Sequence, residues 1–122
     1  MPNVMFIAAR RDSKRLPHKN MRVFLGEPLV ARTIRQGLRC PLADVVCCIS
    51  DDPDVLAVAE ALGSETERLP EELTRDGVSP LRSVVHAIRQ SPHITSDSIV
   101  GLIQPTSPLR YDEDIIRCFE AL

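Results

Sequence analysis

Three short apolar runs, Val4–Ala8, Val45–Ser50 and Ile99–Gln104, are separated by stretches of helical periodicity, and this alternation most constrains the fold. Each run is rich in Val and Ile, apolar on successive residues and bounded by polar or turn residues. Such a run reads as a strand buried on both faces, the condition of a parallel sheet. After Glu27-Pro28, Val30, Ile34 and Leu38 repeat at four-residue steps, and that helix ends near Cys40-Pro41. Asp52 and Pro53 supply an N-cap and a first-turn proline for a helix with Val55, Val58, Ala59 and Leu62 on one face and Gly63 as its stop. Ser79-Pro80 repeats the device ahead of Leu81, Val84, Val85 and Ile88, with Ser91-Pro92 beyond. Asp112 is placed to cap a helix carrying Ile115, Ile116, Phe119 and Leu122. Strands alternating with amphipathic helices predict an α/β fold with a mainly parallel sheet.

The 122 residues make one domain, 1–122, with no repeat, linker or low-complexity tract. The final helix carries an apolar position at Leu122, and in a βαβ crossover it would feed another strand. The expectation is therefore an incomplete domain, the N-terminal part of a larger one. Aromatic content is 3% with no Trp, which argues against base-stacking capture of single strands, and the net charge of −2 argues against a duplex-binding surface. A nucleic-acid partner is not expected. No apolar run approaches a membrane span, and no signal peptide is recognisable. Cys40, Cys47, Cys48 and Cys118 form no C-x-x-C pair and read as core thiols in a reducing, cytoplasmic compartment.

The first strand opens straight into a basic segment. Arg10, Arg11, Lys14, Arg15 and Lys19 face one acid, Asp12, so residues 10–19 carry +4 while the chain is −2, leaving −6 for everything else. Ligands of open α/β sheets bind at the carboxyl ends of strands, which points to loops 9–20, 50–53 and 104–110. Loop 9–20 holds no glycine and is neither a Walker A loop nor a dinucleotide fingerprint. Cations must do there what exposed backbone amides do elsewhere. Arg offers a bidentate fork for phosphate oxygens and Lys a point charge. Spacing alone leaves a solvated charge run open beside a polyanion site.

Ala9-Arg10-x-x-Ser13-Lys14-Arg15-Leu16-Pro17-x-Lys19-Asn20 resembles the N-terminal signature of the acylneuraminate cytidylyltransferases, the CMP-sialic acid synthetases. Gly26-Glu27-Pro28-Leu29-Val30-Ala31, Ser50-Asp51-Asp52, Pro70-Glu71-Glu72-Leu73, His86-Ala87 and Leu102–Arg110, with its Gln104-Pro105-Thr106-Ser107-Pro108, are similar to further motifs of that family in the same order. The resemblance implies a Rossmann-like nucleotidyltransferase fold and transfer of CMP from CTP to a sialic-acid-like sugar acid, releasing pyrophosphate. It implies Arg10 and Lys19 as catalytic residues, Ala9, Arg10, Ser13, Lys14, Lys19, Asn20 and Ser79 around the nucleotide, and Gln104 toward the sugar. CTP and a small sugar acid are the partners it implies, with a homodimer among them, and Mg²⁺ is the expected cofactor.

Two departures stand out. Arg11 and Asp12 occupy positions where the family usually has glycine, and Leu69 one where it commonly has Arg, leaving Arg68 as the nearby cation. A carboxylate about 4 Å from a phosphate oxygen costs roughly 1 kcal/mol in water and about 4 at intermediate dielectric. Pairing with Arg11, or ligation of Mg²⁺ by Asp12, would relieve that cost. The family's metal-binding aspartates, further sugar contacts and dimerisation segment correspond to sequence past residue 122, so Asp51 and Asp12 are the metal candidates within it. A non-catalytic nucleotide-binding or interaction domain on the same scaffold, or a nucleotidyltransferase for another sugar or base, stands as the alternative.

Overall fold

The structure is a computed structural model and describes residues 3–10, 19–73, 80–105 and 112–121. Val4–Ala8 forms β1, followed by a 3-10 turn at Lys19–Met21 and a small hairpin of β2 (Val23–Phe24) and β3 (Glu27–Pro28). Then come α1 (Leu29–Arg39), β4 (Val45–Ser50), α2 (Pro53–Ala61), β5 (Glu65–Arg68), a 3-10 turn at Glu71–Leu73, α3 (Pro80–Gln90), β6 (Val100–Ile103) and α4 (Asp112–Glu120). The main sheet has the order β5-β4-β1-β6, with every pairing parallel.

β1 is central, with Phe6 opposite Cys47 on one side and Leu102 on the other. Its side chains alternate between two cores. Met5, Ile7 and Ala9 face α1, α2 and α4 through Val30, Ile34, Val55, Ala59, Ile115 and Phe119. Val4 and Phe6 face α3 through Val84 and Ala87, with Ile49 and Leu69 beside them. Burial on both faces explains why β1 reads as an unbroken apolar run, and each large side chain so buried contributes about 1.5–3 kcal/mol.

The expected parallel α/β architecture is present, with local differences. On α1, Leu38 is exposed, and Gly37 takes the sheet-facing place. A Cβ there would lie 3.3 Å from Met5 Sδ and Val46 Cγ1, so the bare backbone lets α1 seat on β1 and β4. On α3, Leu81 and Val85 are exposed while Ser83, Val84 and Ala87 are buried, so the helix is turned away from the face that apolar spacing suggests. Asp112 is not a cap: it is the first helical residue of α4, and its carboxylate takes two hydrogen bonds from Arg39, 2.9 Å from Nε and 3.1 Å from Nη2. β6 is one residue shorter at each end than its apolar run. β5, Glu-Thr-Glu-Arg, has no apolar signature because it is an edge strand, where charge discourages pairing with other chains. The other edge, Val100-Gly101-Leu102-Ile103, carries no charge. Asp52 caps α2 as expected, accepting from the Asp54 N–H at 2.9 Å. Ser79, expected to cap α3, lies outside the described residues.

The β2–β3 hairpin turns at Leu25 and Gly26, with φ of 53° and 87°. Both central residues are left-handed, as a two-residue type I′ turn requires, and a leucine there costs about 1–2 kcal/mol. Leu25 is exposed, so little packing offsets that cost. Leu25→Asn should raise stability by about 0.5–1 kcal/mol in urea unfolding. The Arg39–Asp112 pair adds a pH dependence. The hydrogen bond from Arg39 holds the Asp112 carboxyl below its ordinary value. Its contribution is present above the unfolded-state value near 3.9 and is lost as pH falls through the lowered one. Both side chains are about half exposed, limiting the gain to about 0.5 kcal/mol. Arg39→Met should therefore lower the urea midpoint slightly at pH 7 and leave it unchanged at pH 2.

Candidate functional site

Because the strands are parallel, their carboxyl ends share one edge of the sheet. Ala8 lies opposite Ile49, and Ile7 opposite Ile103. The segments that leave there, Ala9-Arg10, Ser50-Asp51-Asp52 and Gln104-Pro105, therefore emerge side by side. β5 ends on the same edge, at Leu69-Pro70. The two long motifs, nearly a hundred residues apart in sequence, thus issue from neighbouring strands.

Ala9 is buried, and its N–H donates to Ile49 O at 3.0 Å, extending the ladder one step past β1. Its carbonyl is taken by the Ser50 hydroxyl. That hydroxyl accepts from the Asp52 N–H at 3.0 Å, and Ser50 O accepts from the Leu69 N–H at 2.9 Å. Arg10, half-buried, follows directly. Its carbonyl accepts from Asn20 Nδ2 at 2.8 Å, and Asn20 is buried by the 3-10 turn packing against α1 and α2. Thus the carbonyls of Ala9 and Arg10 are each fixed by a side chain from another element.

Of the residues predicted for the nucleotide, the structure brings Ala9, Arg10 and Asn20 together. Lys19 starts the 3-10 turn that carries Asn20. Ser13, Lys14 and Ser79 lie outside the described residues, as do Arg11 and Asp12. Gln104 leaves β6 exposed, at the rim of an open groove of about 400 Å³ floored by Met5, Gly101, Ile103, Ile115 and Phe119. Asp51 is half-buried on the same edge, while Asp52 is almost wholly buried at the start of α2. The α2 N-terminus is thus already faced by Asp52 and Asp54, whereas the described first turn of α3 holds no acid. The α2 N-terminus is therefore a poor place for an anion. Among the described residues, no three His, Cys, Asp or Glu side chains gather as a metal centre would. Leu69 is buried and belongs to the core on the α3 side of the sheet rather than to the rim, and Arg68 is exposed on β5. Ser50 is the residue to which sequence reasoning gave no role. Its signals were a polar residue closing an apolar run and its place at the head of the Ser50-Asp51-Asp52 motif.

The sequence profile of the cytidylyltransferase family matches residues 4–122. The chain belongs to the cytidylyltransferase family. An N-acylneuraminate cytidylyltransferase of Escherichia coli is 34% identical over 113 residues, covering 93% of this chain and 26% of the relative. A CMP-N,N'-diacetyllegionaminic acid synthase of Legionella pneumophila is 34% identical over 117 residues, covering 93% of this chain and 50% of the relative. A 3-deoxy-manno-octulosonate cytidylyltransferase of Chlorobium luteolum is 49% identical, but over 65 residues, 53% of this chain and 26% of the relative. The solved CMP:2-keto-3-deoxy-manno-octonic acid synthetase complexed with CTP superposes with a TM-score of 0.84 at 22% identity, covering 99% of this chain and 47% of that one. At that identity it attests the fold alone. The chain spans half or less of the length of these relatives. Among its described residues, no helix is long and apolar enough to cross a membrane.

The described cysteines offer no ready thiolate at this edge of the sheet. Burial pushes Cys47 and Cys48 up to about 12, with Glu65 and Glu67 adding to the effect at Cys47 and Cys47 itself at Cys48. Cys40 is buried, whereas Cys118, expected in the core, is exposed on α4 and lines the open groove beside β6. Iodoacetamide at pH 8 should label Cys118 in the native protein and reach Cys47 and Cys48 only after denaturation, with peptide mapping as the readout.

Proposed function

We propose that this chain is the nucleotide-binding portion of a cytidylyltransferase that transfers CMP from CTP to a sialic-acid-like sugar acid. The observation that carries the reading is the emergence of the 9–20 and 104–110 motifs from adjacent parallel strands, β1 and β6, on one edge of the sheet. Arg10, the first residue of the basic segment, then leaves β1 beside the strand that carries Gln104, a pairing that suits a triphosphate held next to an acceptor.

In this reading a sugar hydroxyl oxygen bonds to the α-phosphorus as the bond to the bridging oxygen of pyrophosphate breaks. Such in-line transfer depends on positioning and on neutralising charge. Arg10 and Lys19 act on the phosphates, with Ser13 and Lys14 beside them. Ala9 and Asn20 shape the loop, Ser79 faces the nucleotide, and Gln104 faces the sugar acid. Each charge-assisted bond contributes about 1.5–3 kcal/mol. Mg²⁺ arriving with the triphosphate would neutralise phosphate charge, and it needs only one or two protein carboxylates. Asp51 is the described carboxylate best placed to supply one, since Asp52 Oδ1 caps α2.

The test is differential. CTP should raise the melting temperature more than GTP or ATP, by the equivalent of about 2.7 kcal/mol at a hundredfold excess over Kd. Lys19→Ala should weaken CTP binding about ten- to hundredfold. Equal shifts with all three nucleotides would remove the cytidine assignment. Pyrophosphate release is then followed with sialic, legionaminic, pseudaminic and 3-deoxy-manno-octulosonic acids. The last is included because the segment-level likeness to octulosonate enzymes is stronger than the longer matches. Release with octulosonate alone would move the acceptor to that sugar. CTP binding with no release for any acid would favour the non-catalytic alternative.

A further inference from the structure

We infer that Ser50 is a positioning residue for the nucleotide loop, acting through the Ala9–Arg10 main chain rather than by touching the ligand. The inference rests on the CTP-binding reading above.

In a parallel ladder, the Ala9 N–H bond to Ile49 O would be followed by a bond from the Asp51 N–H to Ala9 O. Here the Ser50 hydroxyl occupies that carbonyl instead. One side-chain oxygen therefore ends the β1–β4 ladder and takes over its last acceptor. The same oxygen accepts from the Asp52 N–H at 3.0 Å, setting the chain direction into α2. Ser50 is fully buried, so water cannot substitute for either bond. Asn20 performs the matching task one residue later, at Arg10 O. Two consecutive peptide planes are thus locked just where the strand gives way to the basic segment, and the starting direction of that segment follows from them. Alanine at 50 would remove the hydrogen bonds that Ser50 makes to the Ala9 carbonyl and the Asp52 N–H, loosening the hold on the loop base.

A serine at the opposite end of the same sheet provides the control. Ser64 is buried, and its single O–H has two carbonyl acceptors within reach, Glu65 O at 2.8 Å and Val46 O, near the start of β4, at 3.2 Å. Ser64→Ala removes a comparable buried bond with no connection to the nucleotide edge. CTP affinity is measured by calorimetry at a temperature where every variant is folded by circular dichroism. Ser50→Ala should raise the CTP Kd about tenfold or more, equivalent to about 1.4 kcal/mol. Ser50→Thr, which restores a hydroxyl, should return it to within about twofold. Ser64→Ala should leave Kd unchanged even if it melts as early as Ser50→Ala. Wild-type affinity in Ser50→Ala, or an equal loss in Ser64→Ala, overturns the inference while the CTP reading stands. A wild-type protein that does not bind CTP overturns both.

Discussion

The pairing of β1 with a parallel neighbour on each side is the constraint from which the rest follows. A strand inside a parallel sheet has no face left for water, so both faces need helices. Met5 and Ile7 require α1, α2 and α4, while Val4 and Phe6 require α3. The same parallelism fixes where chemistry can gather, because every crossover returns the chain to the same edge. Core and site are therefore two consequences of one pairing pattern. Gly37 shows how closely they are tied: only a missing side chain lets α1 approach the strands that hold the site in register.

Much of this was legible in the sequence because burial writes itself as periodicity. Val4–Ala8 and Val45–Ser50 could hardly be anything but interior strands, and the Asp52-Pro53 start of α2 follows from elementary capping chemistry. The illegible parts have physical reasons. β5 is charged because an edge strand is better protected by Glu65, Glu67 and Arg68 than by apolar side chains. On α3, Leu81 and Val85 satisfy a helical spacing, but the packing of Val84 and Ala87 on the sheet decides which face is inward. Gly37 does the work of an apolar residue without being one.

The site was legible in outline and opaque in its supports. Ala9, Arg10, Asn20 and Gln104 were read from motifs, and the fold brings their segments to one edge. Ser50 escaped notice because its role depends on register, on which carbonyl happens to lie opposite a hydroxyl, and register is not written locally. Asn20 also gains a second meaning, since its amide nitrogen holds the Arg10 carbonyl. Leu69 is a departure from the family pattern that the fold explains: the position is buried in the core on the α3 side of the sheet, where an apolar side chain fits.

The central place of β1 also has a kinetic consequence. Its first neighbour, β4, begins about forty residues later, but the second pairing joins Val4 to Val100, with Asn3 Oδ1 accepting from the Ile99 N–H across 96 residues. Closing so long a loop draws on chain entropy before any contact repays it, and such distant pairings slow folding. During synthesis β1 must wait for β6 before this pairing can form. The edge that gathers Arg10 and Gln104 therefore comes into being late, as a product of completed folding.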